Sequence, residues 1–546
     1  MSSARSVKLS VLSYLASIST FADSPLVFLI AASLFVPHIL AGMPQEKTPS
    51  ASSMNAADVS LEDAQRALMS KDFGRAREIL ETLLKKNPNS AQAQLLMAAV
   101  EVNTGHPDAA ILHFKRSLAI QPKSFDAHYG VALALLHENK IEEGTRELRT
   151  AVRLNPKNPD AAYNLAVLLL DAGQPKEALH LLESVRAAGP DGPDLSYNII
   201  RAQLLTRQFD EAVKTAQASA KFFGDDMAWQ LAVGKLFLAA GNSTEAIQHL
   251  KLASNLRPGD PETLDALAAA YLAANQLNAV LALLPNPLNP EECYLSGSAF
   301  LALARMEEAH AASACSLKGK PDDPRFLLLS AKIAQRRGQQ TEALRILQRA
   351  AELAPRWPDV FYSEGVSYYF LSRYPQVRTA LDRALQLAPN SAGFLFLYAI
   401  SYENERKLVE AAEYLHRAIK IEPANPRFQC HLGTVLLQQE RFAEAQQSLD
   451  AAIGLKPDYA LPHYELGKLY ERQKKFQPAA SELETALRYE PDLAQAMYQL
   501  SRVYAALGQQ ELAASTMDKF KAIKQRESRE AQEMLDDVTK QLQAQQ

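Results

Sequence analysis

Residues that could carry catalysis are scattered along this chain rather than gathered into motifs. Its 11 histidines are dispersed, and none lies at metal-ligand spacing from another histidine or from a cysteine. His137 and Glu138 lack the second histidine that completes a zinc-protease helix. The sequence contains neither a glycine-rich phosphate loop nor a nucleophile elbow. We therefore predict no catalytic residue, no metal ligand and no cofactor.

Cysteine spacing and overall charge argue against two further kinds of site, one for a metal ion and one for nucleic acid. Cys293, Cys315 and Cys430 include no C-x-x-C pair, so we interpret them as buried small apolar side chains rather than disulfide partners or metal ligands. The formal net charge is −4, whereas nucleic-acid binders carry a clustered basic excess. We expect a protein that does not bind nucleic acid.

The chemistry that remains is recognition by basic and aromatic side chains. The stretch Trp357–Tyr402 holds eleven aromatic residues, and arginines and lysines recur on both sides of it. Basic groups beside exposed aromatic rings suit a peptide that carries carboxylates and an apolar anchor. The elements that position these side chains can also be predicted from the sequence.

Those elements form a repeated unit, of which Tyr459–Pro491 is the clearest copy. Its small and apolar residues are spaced three and four apart, which predicts two short amphipathic helices joined by a polar turn at 473–475. Pro491 ends the second helix because it lacks a backbone N–H. A glycine at Gly467 costs about 1 kcal/mol in a helix, so we expect it to permit close packing of the two helices.

Helix-ending residues recur at a period of 34. They are Pro88, Pro122, Pro156, Pro190, Gly224 and Pro258, and then Pro287, Pro321, Pro355, Pro389, Pro423, Pro457 and Pro491. Only the step of 29 from Pro258 to Pro287 breaks the period, because the second helix near Leu277–Leu284 is about five residues short. A fixed period of this size predicts an all-α solenoid of stacked helical hairpins.

The repeated unit resembles the tetratricopeptide repeat (TPR) family, about fourteen times over. The residues that carry the resemblance in the clearest copy are His463, Tyr464, Leu466, Gly467, Tyr470, Ala479, Leu483, Ala486 and Pro491. The resemblance implies a right-handed superhelical solenoid whose first helices line a concave groove. It also implies that the second, fifth, ninth, twelfth and thirteenth positions of each unit face that groove.

Read at those positions, the C-terminal half offers a basic and aromatic groove. We predict the partner-binding residues to be Arg325, Lys332, Arg336, Tyr362, Tyr369, Phe370, Phe396, Tyr464, Lys468, Arg472, Tyr498 and Arg502. Tyrosine is also the family's ordinary residue at the fifth position. The same patch therefore has two readings, a contact site or ordinary groove lining.

The N-terminal half of the groove is more acidic. Asp126, Asp160 and Asp194 occupy the second position and could select basic partners, but an acid in the first helical turn also stabilises the helix dipole. One subclass of the family clamps C-terminal carboxylates of chaperones. Tyr129 and Leu133 stand where that clamp needs lysine and asparagine, so we do not predict that activity.

The N-terminus predicts export. Arg5 and Lys8 precede Leu26–Gly42, seventeen residues without a formal charge that would span about 25 Å as a helix. Basic residues before such a segment favour an orientation with the rest of the chain outside the cytoplasm. We predict a signal peptide or membrane anchor over residues 1–43 and a flexible linker over 44–58. The alternative is an intracellular solenoid with a fortuitous apolar start.

The remaining chain divides into three segments. We predict the N-terminal half of the solenoid at 59–287, its C-terminal half at 288–525 and a capping helix at 526–546, with a kink or boundary near Pro285–Pro290. Met534, Leu535 and Val538 form a narrow apolar stripe that suits a cap on the last repeat. A partner-binding amphipathic helix is the alternative.

Taken together, these features predict a non-catalytic interaction scaffold of the cell envelope that binds protein or peptide partners. We expect it to face the periplasm, either free or membrane-anchored. The alternative function is a non-catalytic carrier or regulatory subunit of envelope polysaccharide or glycosyl-transfer machinery, with a sugar bound near Trp357–Tyr402.

Overall fold

Helices account for all the regular structure in the described part of the chain. The computed structural model describes residues 59–189 and 191–544, and no strand occurs among them. The predicted export segment and linker, residues 1–58, lie outside the described residues. Helices are numbered here in chain order, so that odd numbers are first helices of a repeat and even numbers are second helices.

Contacts divide the chain into two compact units, the first ending at Ala304 and the second beginning at Arg305. The helices of unit 1 are α1 Leu61–Met69, α2 Phe73–Lys86, α3 Ala91–Asn103, α4 Pro107–Ile120, α5 Phe125–His137, α6 Ile141–Leu154, α7 Pro159–Asp171, α8 Pro175–Ala188, α9 Pro193–Leu205, α10 Phe209–Phe223, α11 Met227–Ala239, α12 Ser243–Leu256, α13 Pro261–Ala273, α14 Leu277–Leu283 and α15 Pro290–Ala302.

Unit 2 continues the same pattern. Its helices are α16 Met306–Gly319, α17 Pro324–Arg336, α18 Gln340–Leu353, α19 Pro358–Phe370, α20 Tyr374–Leu387, α21 Ala392–Asn404, α22 Leu408–Ile421, α23 Pro426–Gln438, α24 Phe442–Leu455, α25 Ala460–Arg472, α26 Phe476–Tyr489, α27 Ala494–Ala506 and α28 Gln510–Ala544.

The local sequence explains where these helices begin and turn. Many first helices start after a serine, asparagine or aspartate whose side chain accepts a hydrogen bond from a first-turn N–H, as Ser124 does from Ala127. The tight turn to the second helix needs one residue with positive φ, such as Asn139 at 57° or Lys474 at 60°. The polar turn predicted at 473–475 is therefore confirmed.

Adjacent helices pack closely at glycine, both within a hairpin and between repeats. A Cβ on Gly467 would lie 2.5 Å from Cγ of Leu483, and a Cβ on Gly130 would lie 2.3 Å from Cζ of Phe114. Both partner side chains are fully buried. The packing role predicted for Gly467 is confirmed.

The predicted irregularities have structural counterparts. α14 has only seven residues, which confirms the short helix predicted near Leu277–Leu284. A change of direction at Pro285–Pro290 stays a prediction. Residues 526–544 continue α28, the second helix of the last repeat, instead of forming a separate element. Ile523 of this helix packs on Ala494 and Met497 of α27 and so covers the end of the core.

The cysteine prediction is wrong for two of the three residues. Cys293 and Cys315 are disulfide-bonded, whereas Cys430 is free and buried. Cys293 and Cys315 lie on the two helices of one repeat, α15 and α16, but sequence alone does not decide whether two such cysteines have the geometry of a disulfide.

Candidate partner-binding face

The first helices form one continuous face within each unit. First helices of successive repeats contact each other in most repeats, whereas no comparable contact joins successive second helices in the described part of the chain. Repeats that approach more closely on one side curve toward it. The first-helix face is therefore the inner face, as the resemblance implied.

Side-chain hydrogen bonds tie neighbouring first helices together across this face. An asparagine amide donates to the tyrosine hydroxyl of the preceding repeat in three places. These are Asn164 to Tyr129 at 3.0 Å, Asn198 to Tyr163 at 3.0 Å and Asn404 to Tyr369 at 3.2 Å. These asparagine side chains therefore stabilise the packing of one repeat on the next.

In unit 1 the acidic groups of this face are largely engaged. Arg201 lies 2.7 Å from Asp171 of the preceding first helix, and Lys235 pairs with Glu262 of the following one. Both contacts join adjacent repeats, and they involve acids other than Asp126, Asp160 and Asp194, whose role stays a prediction.

In unit 2 the three predicted cations of α17 lie in different surroundings. Arg325 is ion-paired, Lys332 is half-buried and Arg336 is exposed. The Arg325 guanidinium lies 2.8 Å from the Asp323 carboxylate. Burial lowers the pKa of the half-buried Lys332 ammonium, and the nearby Asp359 charge partly opposes this shift. Arg336 is exposed at the end of α17.

The adjacent helix α19 presents an aromatic and acidic surface. Tyr362 stacks on Phe394 of α21, with ring centroids 5.0 Å apart. Asp359 accepts a hydrogen bond from the Trp357 indole N–H at 3.1 Å. Burial raises the pKa of the Asp359 carboxyl, while Lys332 and the Trp357 bond oppose the rise.

Phe396 is buried, in contrast to the exposed aromatic that the repeat position predicts. Only 9% of its surface is exposed. Its ring packs at 5.0 Å from both Phe428 and His431 of α23, and the Arg427 guanidinium lies 5.3 Å above it. The large side chains of the next repeat cover it.

Phe370 is the exposed aromatic of this region. It ends α19 with 64% of its surface exposed, and its ring lies edge-on to Tyr369 at 5.9 Å. Tyr369 is held by the Asn404 hydrogen bond and by contact with Tyr374. An apolar ring held by rigid neighbours in this way suits an apolar side chain of a partner.

The basic groups of α25 are engaged. The Lys468 ammonium lies 2.8 Å from the buried Glu465 carboxylate and 5.1 Å from the Tyr464 ring centroid. Arg472 donates to the Leu437 carbonyl oxygen of α23 at 3.2 Å. Both cations already have partners within the chain.

At the last repeat the predicted pair is also held in place. Tyr498 packs on Phe520 of α28 with centroids 5.5 Å apart. Arg502 lies 6.0 Å from the Tyr498 ring centroid and 3.5 Å from the Glu471 carboxylate. Among the twelve predicted residues, Phe370 and Arg336 are thus the most available to a partner.

Two exposed residues of this face, Arg427 and Gly393, are not among those predicted from the sequence. Arg427 at the second position of its repeat is exposed and has no carboxylate within ion-pair distance in the described part of the chain. Gly393, at the same position one repeat earlier, leaves open space beside it. A comparison of the second position across all repeats would have singled out this glycine.

The described residues of this face form no cluster that suits a metal ion. Across residues 59–189 and 191–544, no group of three histidines, cysteines or acids is placed to hold a metal ion. Within the same residues, no helix is both long enough and apolar enough to cross a bilayer.

Models of one repeat family match most of the chain. Models described as tetratricopeptide repeat match residues 67–134, 132–193, 169–236, 362–426 and 464–527, and a model described as TPR repeat matches 433–474. The chain belongs to the tetratricopeptide repeat family. The resemblance drawn from the proline period and the helix motif is therefore confirmed, as is the all-α fold.

Solved structures similar to this TPR chain include two complexes. One is the crystal structure of the APC/C hetero-tetramer Cut9-Hcn1, at 13% identity and a TM-score of 0.43, covering 81% of this chain and 95% of that one. The other is the structure of Naa15/Naa10 bound to HypK-THB, at 17% identity and a TM-score of 0.35, covering 85% and 75%. No curated protein matches this chain.

TPR membership gives the coarse function. TPR repeats are generally non-catalytic scaffolds for protein–protein interaction, and models of them match this chain between residues 67 and 236 and between residues 362 and 527.

Proposed function

We propose that this protein is a non-catalytic scaffold of the cell envelope that binds a segment of a partner protein along the first-helix face of unit 2. The observation that carries the proposal is the exposed Phe370 ring on the same face as Arg336 and Arg427. An apolar anchor beside cations is the arrangement that protein interfaces favour.

The placing of these groups supports a preformed site. Tyr369 and Asn404 fix the helix end that carries Phe370, and α17, α19 and α21 pack side by side. A rigid surface loses little conformational entropy when it binds. An extended partner segment would therefore gain from many small contacts.

Two observations support the envelope setting. Residues 1–43 have the charge and apolar pattern of an export signal or anchor. Cys293 and Cys315 are disulfide-bonded, and disulfides persist in oxidising compartments such as the bacterial periplasm.

Photo-crosslinking tests the binding face. The full chain would carry a photoreactive phenylalanine analogue at Phe370 or at Arg336, with Val409 as control. Val409 lies on the second helix α22 and is 74% exposed, so it matches Phe370 in accessibility. We expect crosslinks to a defined partner from the two test positions and not from Val409. Equal crosslinking from all three positions would contradict the proposed face.

Trapping thiols in intact cells tests the compartment. We expect one alkylatable thiol, that of Cys430, when the protein is trapped, denatured and left unreduced. Three free thiols, together with recovery in the cytosolic fraction, would contradict export.

A further inference from the structure

Four repeats carry a hydrogen-bonding side chain at the fourth residue of the first helix, where it connects three parts of the repeat. These residues are Gln94, His128, Gln230 and His463. Each contacts the carbonyl oxygen six residues earlier, in the turn from the preceding repeat. Each also contacts a side chain nineteen residues later, on the second helix of its own hairpin. The four side chains therefore join a hairpin to the turn that precedes it.

In two of these repeats the connecting residue is glutamine and its partner is histidine. Gln230 Nε2 donates to the Gly224 carbonyl oxygen at 2.9 Å, and Gln230 Oε1 lies 2.7 Å from His249 Nδ1. Gln94 makes the equivalent contacts at 3.4 Å and 2.7 Å. A glutamine amide both donates and accepts, so a neutral histidine that donates its Nδ1–H completes this arrangement. Burial lowers the pKa of His249 to about 4, in agreement with a neutral ring.

In the other two repeats the connecting residue is histidine and its partner is glutamate. His128 Nδ1 lies 2.6 Å from Glu147 Oε2, and His128 Nε2 lies 3.1 Å from the Pro122 carbonyl oxygen. A carbonyl oxygen and a carboxylate can only accept, whereas a neutral imidazole has a single N–H. All these groups are hydrogen-bonded together only when the His–Glu pair holds one additional proton, whichever of the two side chains carries it.

The same arrangement recurs in the other unit of the chain. His463 Nδ1 lies 2.7 Å from Glu482 Oε2, and His463 Nε2 lies 3.3 Å from the Pro457 carbonyl oxygen. The His463 side chain is buried, and His128 and both glutamates are half-buried. Water therefore replaces a missing hydrogen bond incompletely at these sites.

The other charged groups around His128 balance in sign. They are Glu143, one turn before Glu147 on α6, Asp126 of α5, Lys123 of the turn and Arg116 near the end of α4. Two acids and two cations leave little net effect on the imidazole, and water screens the exposed ones. The contact with Glu147 therefore dominates the proton balance.

The titratable groups around His463 come from four elements. They are Lys456 and Asp458 of the turn, Asp450 of α24, Tyr470 of α25 and Tyr489 of α26, whose ring packs on the imidazole. Burial raises the pKa of Asp450 and of Tyr470, and the Glu482 charge adds to both shifts. The turn residues again carry one charge of each sign, so Glu482 is the main charge on this ring.

From this geometry we infer that the His128–Glu147 and His463–Glu482 pairs are pH-sensitive contacts that hold the hairpins α5–α6 and α25–α26 to their preceding turns. Folding takes up a proton at each pair. The stabilisation is therefore complete below about pH 6, where the histidine of the unfolded chain is itself protonated, and is lost as the pH rises. Without the proton, one ring nitrogen turns a lone pair toward an oxygen and its contact is lost.

The pairs are placed to affect the first-helix face. Each histidine directly precedes a tyrosine of that face. Tyr129 accepts the Asn164 amide of the next repeat at 3.0 Å, and Tyr464 lies 5.1 Å from the Lys468 ammonium. We therefore expect the face to be more firmly held at these two repeats in mildly acidic than in alkaline solution, a regulation that the proposed function does not include.

Hydrogen exchange of the full chain tests this inference. Rates at about pH 5.5 and about pH 8 are each compared with the intrinsic rate of an unstructured peptide at the same pH, which leaves the protection due to structure. We expect protection in α5–α6 and α25–α26 to fall about fivefold at the higher pH, as for one hydrogen bond. The hairpin α7–α8 is the internal reference, because apolar Ala162 and Leu181 occupy the equivalent positions.

Glutamine variants separate the proton from the contact. In Glu147→Gln the amide can donate to Nδ1 while Nε2–H donates to the turn carbonyl, so the neutral histidine is fully bonded. We expect protection of α5–α6 to become independent of pH, while α25–α26 in the same chain keeps its dependence. Glu482→Gln should give the converse. Glu143→Gln, which removes an exposed carboxylate from the same helix, should leave the dependence unchanged.

An exchanged pair provides a second test. The double variant His128→Gln with Glu147→His reproduces the Gln94–His113 arrangement of the α3–α4 hairpin, so it should fold and lose the pH dependence. Equal pH dependence in α7–α8 and α5–α6 of the unaltered chain would overturn the inference. So would an unchanged dependence in both Glu147→Gln and the double variant. Loss of protection in these variants without any pH dependence in the unaltered chain would mean that the pairs are structural contacts alone.

Discussion

The same glycine-to-alanine change should have opposite effects in two repeats. Gly365 and Gly433 occupy the eighth position of their first helices, α19 and α23. A Cβ on Gly365 would meet Leu381 Cγ at 3.4 Å, an ordinary van der Waals contact. A Cβ on Gly433 would lie 2.6 Å from Leu449 Cγ and 3.2 Å from the Ala445 carbonyl oxygen.

The magnitudes follow from these distances. Alanine gains about 1 kcal/mol over glycine in a helix interior, and Gly365→Ala should keep most of it. Gly433→Ala gains the same amount but overpacks a core in which Leu449 is fully buried. Overpacking typically costs about 1–3 kcal/mol. We expect a net loss of about 1 kcal/mol at Gly433 and a net gain at Gly365.

Local hydrogen exchange is the suitable assay, because repeat arrays open one region at a time and a single melting temperature is not well defined. Exchange in α23 and α24 should speed up about fivefold in Gly433→Ala. Exchange in α19 and α20 should slow in Gly365→Ala. Similar protection in both variants would refute the reasoning from Cβ distances, since helix propensity alone would then decide the outcome.

Three further predictions concern groups away from these two glycines. Burial lowers the pKa of His249 to about 4 from 6.5. The unfolded chain therefore takes up the proton first, and the α11–α12 hairpin should lose up to about 3 kcal/mol as the pH falls from 6.5 to 4; His249→Gln should flatten that dependence in hydrogen exchange. Burial raises the pKa of the Cys430 thiol, so thiol reagents should label it only after denaturation, as mass spectrometry would show. Tyr163→Phe removes the acceptor of the Asn198 amide and should cost about 0.5–1.5 kcal/mol, measured as faster exchange in α7 and α9.

The fold is predictable from the sequence because the same helix-ending and small residues recur in successive repeats. Pro491 and its equivalents mark the ends of second helices, and α26 indeed ends at Tyr489. Gly467 predicts close packing from one residue type, since a glycine inside a helix needs a steric reason. These features depend on neighbours within a single hairpin, which periodicity captures.

The site is less predictable because it depends on side chains from different repeats. The repeat position of Phe396 indicates a groove residue, but Phe428 and His431 of the next repeat bury it. The sequence likewise contains Arg472 without showing that it donates to the Leu437 carbonyl oxygen of the preceding repeat. A comparison of the second positions of the repeats singles out Gly393, but only the structure shows the open space beside it.

Ion pairs within the chain determine which cations can bind a partner carboxylate with a net gain in free energy. A partner carboxylate at Lys468 must displace the buried Glu465 and leave that acid without its partner, so the net gain there is small. A carboxylate at Arg427 gives up no ion pair, because that guanidinium rests on the Phe396 ring and can keep this contact while it binds. We therefore expect the basic residues of α25 and α27 to contribute less to partner binding than Arg427 of α23. The most numerous cations of the face are thus not those expected to hold the partner.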